Sequence, residues 1–149
     1  MKTEYEMVKE FMQTFGQECP SEFVFLSNKK REFRHELTYE ENQELRDAKD
    51  KVAYLDAVCD KLYVTFGDAV AAGIDAHTLL AAFAEVHRSN MSKLWKRSEV
   101  DAITHSQHDI QAICNFNKRE IVGYLVKRKD GKVLKSPSYS PAQLEQFCS

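Results

Sequence analysis

Phe33-Arg34-His35-Glu36-Leu37-Thr38-Tyr39-Glu40-Glu41-Asn42-Gln43-Glu44-Leu45 reads as a helix whose apolar seam turns acidic halfway along. Steps of three and four from Phe33 give Phe33, Leu37, Glu41, then Glu44 or Leu45, and Ala48. Glu41 and Glu44 thus project to the side of Phe33 and Leu37, with Glu40 on the shoulder. A carboxylate in a helix seam costs several kcal/mol unless something neutralises it. No Lys or Arg is expected at a matching seam position, so a bound cation is the economical explanation.

The next helical run, Lys51 to Ala72, repeats the pattern. Asp56 and Asp60 stand at i, i+4 beside the apolar stripe Val52, Leu55, Cys59, Leu62 and Phe66. A short link near Lys49 to Lys51 makes the two helices antiparallel neighbours. Their four acids, Glu41, Glu44, Asp56 and Asp60, can then face one another and hold a hard divalent ion such as Mg²⁺, with Mn²⁺ as an alternative. Taken alone, Glu40-Glu41-x-x-Glu44 reads more readily as a solvated acidic face than as a site. The seam position and the second acid pair favour the metal. A ferritin-like iron site would want Glu-x-x-His on two helices, and Glu32-x-x-His35 is the single instance.

Other helices flank these two. Thr3 to Phe15 places Met7, Phe11 and Phe15 on one face, and Gly16 and Pro20 end it. Asp75 caps a fourth helix, Ala76 to His87. Residues 95–117 carry mixed charges that suit one or two small helices. Ile121 to Val126 reads as a strand, turned at Asp130-Gly131 into Lys132 to Leu134 as a hairpin. Ser140-Pro141 starts a last short helix through Leu144 and Phe147. The expected architecture is all-α: a four-helix-bundle-like core over about 1–94 and an extension over 95–149 with a short β-hairpin, together one domain.

Two basic segments carry further chemistry. Val86-His87-Arg88-Ser89-Asn90-Met91-Ser92-Lys93-Leu94 gathers groups that suit phosphate oxygens, although by itself the run reads first as a helix C-terminus, with Arg88 near the dipole's negative end and Asn90 closing the turn. The run Lys127-Arg128-Lys129 through Lys132 and Lys135 is ambiguous in the same way. His105-x-x-His108 lacks a third ligand and reads as surface histidines.

Composition bounds the rest. The 149 residues are 43% hydrophobic and 30% charged, enough for one core in a soluble chain. A net charge of −2 argues against general nucleic-acid binding. No run approaches the ~18 apolar residues of a membrane span. Cys19, Cys59, Cys114 and Cys148 form no Cys-x-x-Cys pair. Reduced thiols, with no signal peptide in Met1 to Phe15, place the protein in the cytoplasm.

Glu40-Glu41-Asn42-Gln43-Glu44-Leu45 and Leu55-Asp56-Ala57-Val58-Cys59-Asp60-Lys61-Leu62-Tyr63-Val64 resemble the all-α nucleoside triphosphate pyrophosphohydrolases, the superfamily of MazG and phosphoribosyl-ATP pyrophosphohydrolase. Val86 to Leu94 and Asp130-Gly131-Lys132-Val133-Leu134-Lys135-Ser136-Pro137 resemble one branch of it. The resemblance covers about two thirds of the chain. It implies a Mg²⁺-dependent enzyme that cleaves a (d)NTP to a (d)NMP and pyrophosphate in nucleotide-pool house-cleaning, working as a homodimer or homotetramer. By the motif, Glu41 and Glu44 ligate metal with Asp56 or Asp60, and Glu40 binds or deprotonates the attacking water. Arg88, Asn90, Lys93, Lys132 and Lys135 would contact substrate. The usual second motif is Glu-x-x-Asp, yet Ala57 stands three residues before Asp60. Phosphoribosyl-ATP hydrolysis, or a non-catalytic nucleotide- or metal-binding regulatory bundle, are the alternatives.

Overall fold

The structure is a computed structural model, describing residues 1–103, 105–117 and 119–148. It is mostly helical and ends in a two-stranded antiparallel hairpin, as the sequence predicts. The helices are α1 (Glu4–Thr14), α2 (Asn28–Asp47), α3 (Lys51–Ala71), α4 (Ala76–Met91) and α5 (Arg97–Asp101); the strands are β1 (His108–Cys114) and β2 (Ile121–Arg128). The chain forms two compact units, Met1–Ala81 with the last residues from Phe147, and Ala82–Gln146.

Local chemistry sets the helix starts. Thr3 caps α1 in a capping box with Glu6, Ser27 caps α2, and Asp50 accepts from the N–H groups of Val52 and Ala53 to open α3. In the first unit α1 and α2 both pack on α3. Tyr5, Val8, Met12, Ala69 and Val70 form the core, joined by Phe66, Ile74, Ala76 and Leu79. The Tyr5 hydroxyl donates to the Ile74 carbonyl at 2.8 Å.

The buried faces differ from those the periodicity predicts. On α1 the buried set is Tyr5, Val8 and Met12, while Met7, Phe11 and Phe15 are exposed. On α3 it is Ala57, Gly67, Ala69 and Val70, while Val52, Leu55, Cys59 and Leu62 face outward. Both helices are apolar on two faces, so the spacing alone cannot say which one meets a neighbour. Small residues win on α3 because they let the partner helix approach closely.

The second unit departs further. Residues 108–114, expected to be helical or irregular, form β1, and α5 is the one α-helix between Trp95 and Cys114 among the described residues. Alternating Ile110, Ala112 and Cys114 pair with Val126, Tyr124 and Ile121. The main hairpin is therefore β1–β2, not the Asp130-Gly131 hairpin. That turn still forms: Val133 bridges Lys127, and the Leu134 N–H donates to the Val126 carbonyl. Trp95 pairs with Tyr124 along β2, and its indole N–H donates to the Leu134 carbonyl at 3.0 Å. Trp95, Val100, Tyr124 and Val126 are the buried core here. In place of the expected final helix, a single 3₁₀ turn covers Glu145–Phe147. Among the described residues, no single helix is long and apolar enough to cross a membrane.

Gly73 ends α3 at φ +70°, where an added Cβ would run into the Glu22 carbonyl; Gly16 has the same φ with open space around it. Gly16→Ala should cost about 1 kcal/mol from backbone strain alone, and Gly73→Ala about 2 kcal/mol or more because a collision adds to it. Urea denaturation that ranks the two equally would count against the Glu22 contact.

Candidate metal centre

α2 meets α3 along the half-buried residues Arg34, Leu37, Thr38, Glu41, Leu45 and Ala48, a three-and-four repeat. Arg34 fixes the register. Its Nε donates to Asp68 at 2.6 Å and its Nη2 to the Val64 carbonyl at 2.6 Å, with the side chain only 12% exposed. Gly67 leaves room for this guanidinium, since a Cβ there would press on Nη2. Arg34 is thus the basic residue that the seam was expected to lack, but it pairs with Asp68 and leaves Glu41 unneutralised.

Antiparallel pairing that sets Arg34 beside Asp68 brings Glu41 and Glu44 to Asp60. One carboxylate oxygen from each lies within 4.8 Å of the others. Glu41 Oε2 is buried and has no hydrogen-bond partner among the described residues. Its carboxyl is held above the ordinary glutamate range, first by burial and then by the charges of Asp60, Glu44, Glu40 and Asp56. An orphaned acid among other acids is relieved by a proton or by a bound cation. These oxygens suit a hard divalent ion.

Asp56 does not join the group, although its charge reaches Glu41. Ala57, at the position of the missing family Glu, is buried at 2% exposure, so this stretch of α3 offers the group Asp60 alone. Glu40 is exposed beside Glu41.

The expected substrate contacts all lie in the second unit. α4 continues a turn past His87, so Asn90 is within the helix and does not close it. Arg88 donates from Nε and Nη2 to Glu85, both at 2.7 Å, and from Nη2 to the Pro141 carbonyl. Those bonds and the Gln143 N–H hold the Glu85 pKa down to about 2. Arg88 therefore ties the tail to the helix. Lys93 donates to Asn90 Oδ1 at 2.7 Å, and Lys135 lies 4.2 Å from the centre of the Tyr139 ring. The Lys132 N–H closes the turn on Asp130. Of the hydroxyls in the Val86–Leu94 run, Ser89 is buried and Ser92 donates to the Ser89 carbonyl at 2.7 Å, so both serve the local fold; Ser136 is buried as well. His105 sits with a ring nitrogen 3.0 Å from the Val100 carbonyl.

A family described as phosphoribosyl-ATP pyrophosphohydrolase matches residues 8–90, which include every acid of the cluster. The chain belongs to this family, within the MazG-like all-α pyrophosphohydrolases, whose members use a divalent metal. Its activity in the coarse sense is that of a pyrophosphohydrolase. No curated protein sequence matches the chain.

Because the Glu41 pKa is raised on folding, the folded state holds this proton more tightly than the unfolded chain. That contribution is fully present below the unfolded pKa and is lost as the pH rises through the folded value. Without metal, Glu41→Gln should therefore melt higher than the parent near neutral pH, with the gap closing by about pH 4. Thermal unfolding in chelator at the two pH values reads this directly, and an equal or lower melting point at neutral pH would contradict it.

Proposed function

We propose that the protein is a Mg²⁺-dependent nucleoside triphosphate pyrophosphohydrolase that converts (d)NTP to (d)NMP and pyrophosphate in nucleotide-pool house-cleaning. The observation that carries the reading is the orphaned Glu41 carboxylate among Glu44 and Asp60, a donor set that fits a divalent ion. Glu41, Glu44 and Asp60 hold the ion, and Asp56 adds negative charge behind them. When bound, Mg²⁺ offsets the charge of the polyphosphate and stabilises charge developing on the leaving pyrophosphate. Exposed Glu40 takes the proton of the attacking water. Within the second unit, Lys93, Lys132 and Lys135 are the candidate phosphate-binding cations, Asn90 is a candidate amide contact, and Arg88 holds the tail that carries Lys135.

The description of the matched family favours phosphoribosyl-ATP as a second candidate substrate. Pyrophosphate release from a panel of dUTP, dCTP, the other nucleotides and phosphoribosyl-ATP separates the two. Release from none of them would leave a metal- or nucleotide-binding regulator.

We place the enzyme in the cytoplasm and propose that it acts as a homodimer or homotetramer, with no nucleic-acid or membrane partner. Phe15, Phe33, Val52, Leu55 and Leu62 are all more than half exposed, too much apolar surface on one compact unit for a monomer. Light scattering at micromolar concentration should give at least twice the chain mass of 17.2 kDa; a particle of the chain mass would refute it.

The site geometry also ranks the acids. Asp60→Asn should lower the hydrolysis rate by about 10²-fold or more, roughly 3 kcal/mol in transition-state stabilisation. Glu44→Gln should weaken Mg²⁺ binding about tenfold by calorimetry. Asp56→Asn should cost less than either. Equal losses at Asp56 and Asp60 would make Asp56 a ligand.

A further inference from the structure

The sheet of the second unit ends on an open strand. Trp95 and Tyr124 exchange both main-chain hydrogen bonds at 2.9 Å, and the Val126 carbonyl accepts the Leu134 N–H. These two residues of β2 therefore turn their main-chain groups away from β1. Ala112 stands opposite Tyr124, and Ile110 opposite Val126. In an antiparallel ladder such pairs do not bond to each other, so the N–H and C=O groups of Ile110 and Ala112 point outward from β1, as do those of Cys114 two residues on. Outside the β1–β2 ladder, no main-chain hydrogen bond among the described residues reaches them. The other end of the edge is closed, since the Lys129 ammonium lies 3.5 Å from the His108 carbonyl and 2.6 Å from Asp109. Exposed edges are ordinarily blunted by charge, proline or a bulge. Ile110-Gln111-Ala112-Ile113-Cys114 has neither charge nor proline, and the register shift after Ile113 skips Val122 on β2, which leaves β1 regular.

We infer that β1 pairs with β1 of a second copy, antiparallel about a two-fold axis at Ala112, so that two hairpins join into one four-stranded sheet. This register uses every open group and leaves the Lys129 hook in place. Ala112 exchanges both bonds with the partner's Ala112, and Ile110 does so with the partner's Cys114. Ile110 already stands beside Val126, and Cys114 beside Ile121. Each outer row of the joined sheet then runs Val126, Ile110, the partner's Cys114, the partner's Ile121, apolar throughout, from a buried residue to one that is 55% exposed in the single chain. Charge selects the occupant. The open stretch is neutral in a chain that is 30% charged, and the neighbouring Asp109 and Lys129 neutralise each other. Self-pairing sets no like charges opposite, whereas a charged peptide strand would find no counter-charge along this edge. The pairing rests on neither the hydrolase reading nor the exposed helix faces of the first unit.

Amide hydrogen exchange, read by NMR on the full chain at submillimolar concentration, tests the pairing through the two variants Ala112→Lys and Ala112→Glu. Ala112 is exposed, so both spare the hairpin, and an unchanged Trp95 emission checks that they do. Each variant sets like charges across the axis; an equimolar mixture of the two sets opposite charges there. In the parent, the Ile110, Ala112 and Cys114 amides should exchange about tenfold or more slowly than in either variant alone, and the mixture should restore the protection. The Gln111 amide, bonded within the hairpin, should stay protected throughout. Parent amides that exchange as fast as those of Ala112→Lys overturn the pairing. So does protection that survives in both single variants, and so does a mixture that stays unprotected, since the edge would then be covered by something other than its own copy. Ala112→Pro keeps the test open if the charged variants fail to fold. It removes the central outward donor and leaves the ladder bonds of Gln111 and Ile113, as an edge strand tolerates. It should release the Ile110 and Cys114 amides, and their continued protection would also overturn the pairing.

Discussion

The contact of Arg34 with α3 orders the acid-bearing unit. A guanidinium that is mostly buried must be paired, and here Asp68 and the Val64 carbonyl pair it. Those two partners lie four residues apart on α3, so the contact fixes both the direction and the register of α2. Slide α2 by one turn and Arg34 loses both partners while Glu41 moves away from Asp60. The acid cluster is held together against its own repulsion because the helices that carry it are locked two turns away. This separates stability from chemistry: the acids can be left mutually repelling and ready for a cation, since the fold does not depend on them. Glu41 shows the cost, with a buried oxygen that no protein group satisfies.

The acidic seam was legible in the sequence because it violates a rule. Glu41 stands where a core residue belongs, and a break in apolar periodicity is visible without coordinates. The start of α4 was legible too, since Asp75 announces itself by side-chain chemistry and accepts the Thr78 N–H at 3.0 Å; the caps at Thr3 and Asp50 were not read. The choice between two apolar faces was not. α1 offers both Tyr5, Val8, Met12 and Met7, Phe11, Phe15, and only tertiary packing decides. β1 escaped notice because His108, Asp109 and Gln111 dilute its alternation, and the Asp130-Gly131 turn drew attention to the weaker pairing. Asp56 and Asp60 looked equivalent at i, i+4. On the actual helix four residues rise about 6 Å, which sets them a turn apart along the axis, and Asp60 is the one that meets the facing acids.

The second unit uses polar side chains for structural tasks that resemble ligand chemistry on paper. Arg88 grips Glu85 and the Pro141 carbonyl, and the Ser136 hydroxyl donates to the Ser92 carbonyl at 2.8 Å. The Ser140 N–H in turn donates to the Ser92 hydroxyl. A basic and hydroxylic run at a helix end therefore has two uses, and the spacing of its residues does not distinguish them. What separates them is whether each donor already has a protein acceptor.

Trp95 is the single tryptophan of the chain, and it is enclosed by Tyr124 and the Leu134 carbonyl. Its indole emission consequently reports on the second compact unit alone. The first unit holds no tryptophan and most of the helix, so far-ultraviolet circular dichroism is weighted toward it. Comparing that signal with the Trp95 emission on the unmodified chain asks whether the two units melt together or in sequence.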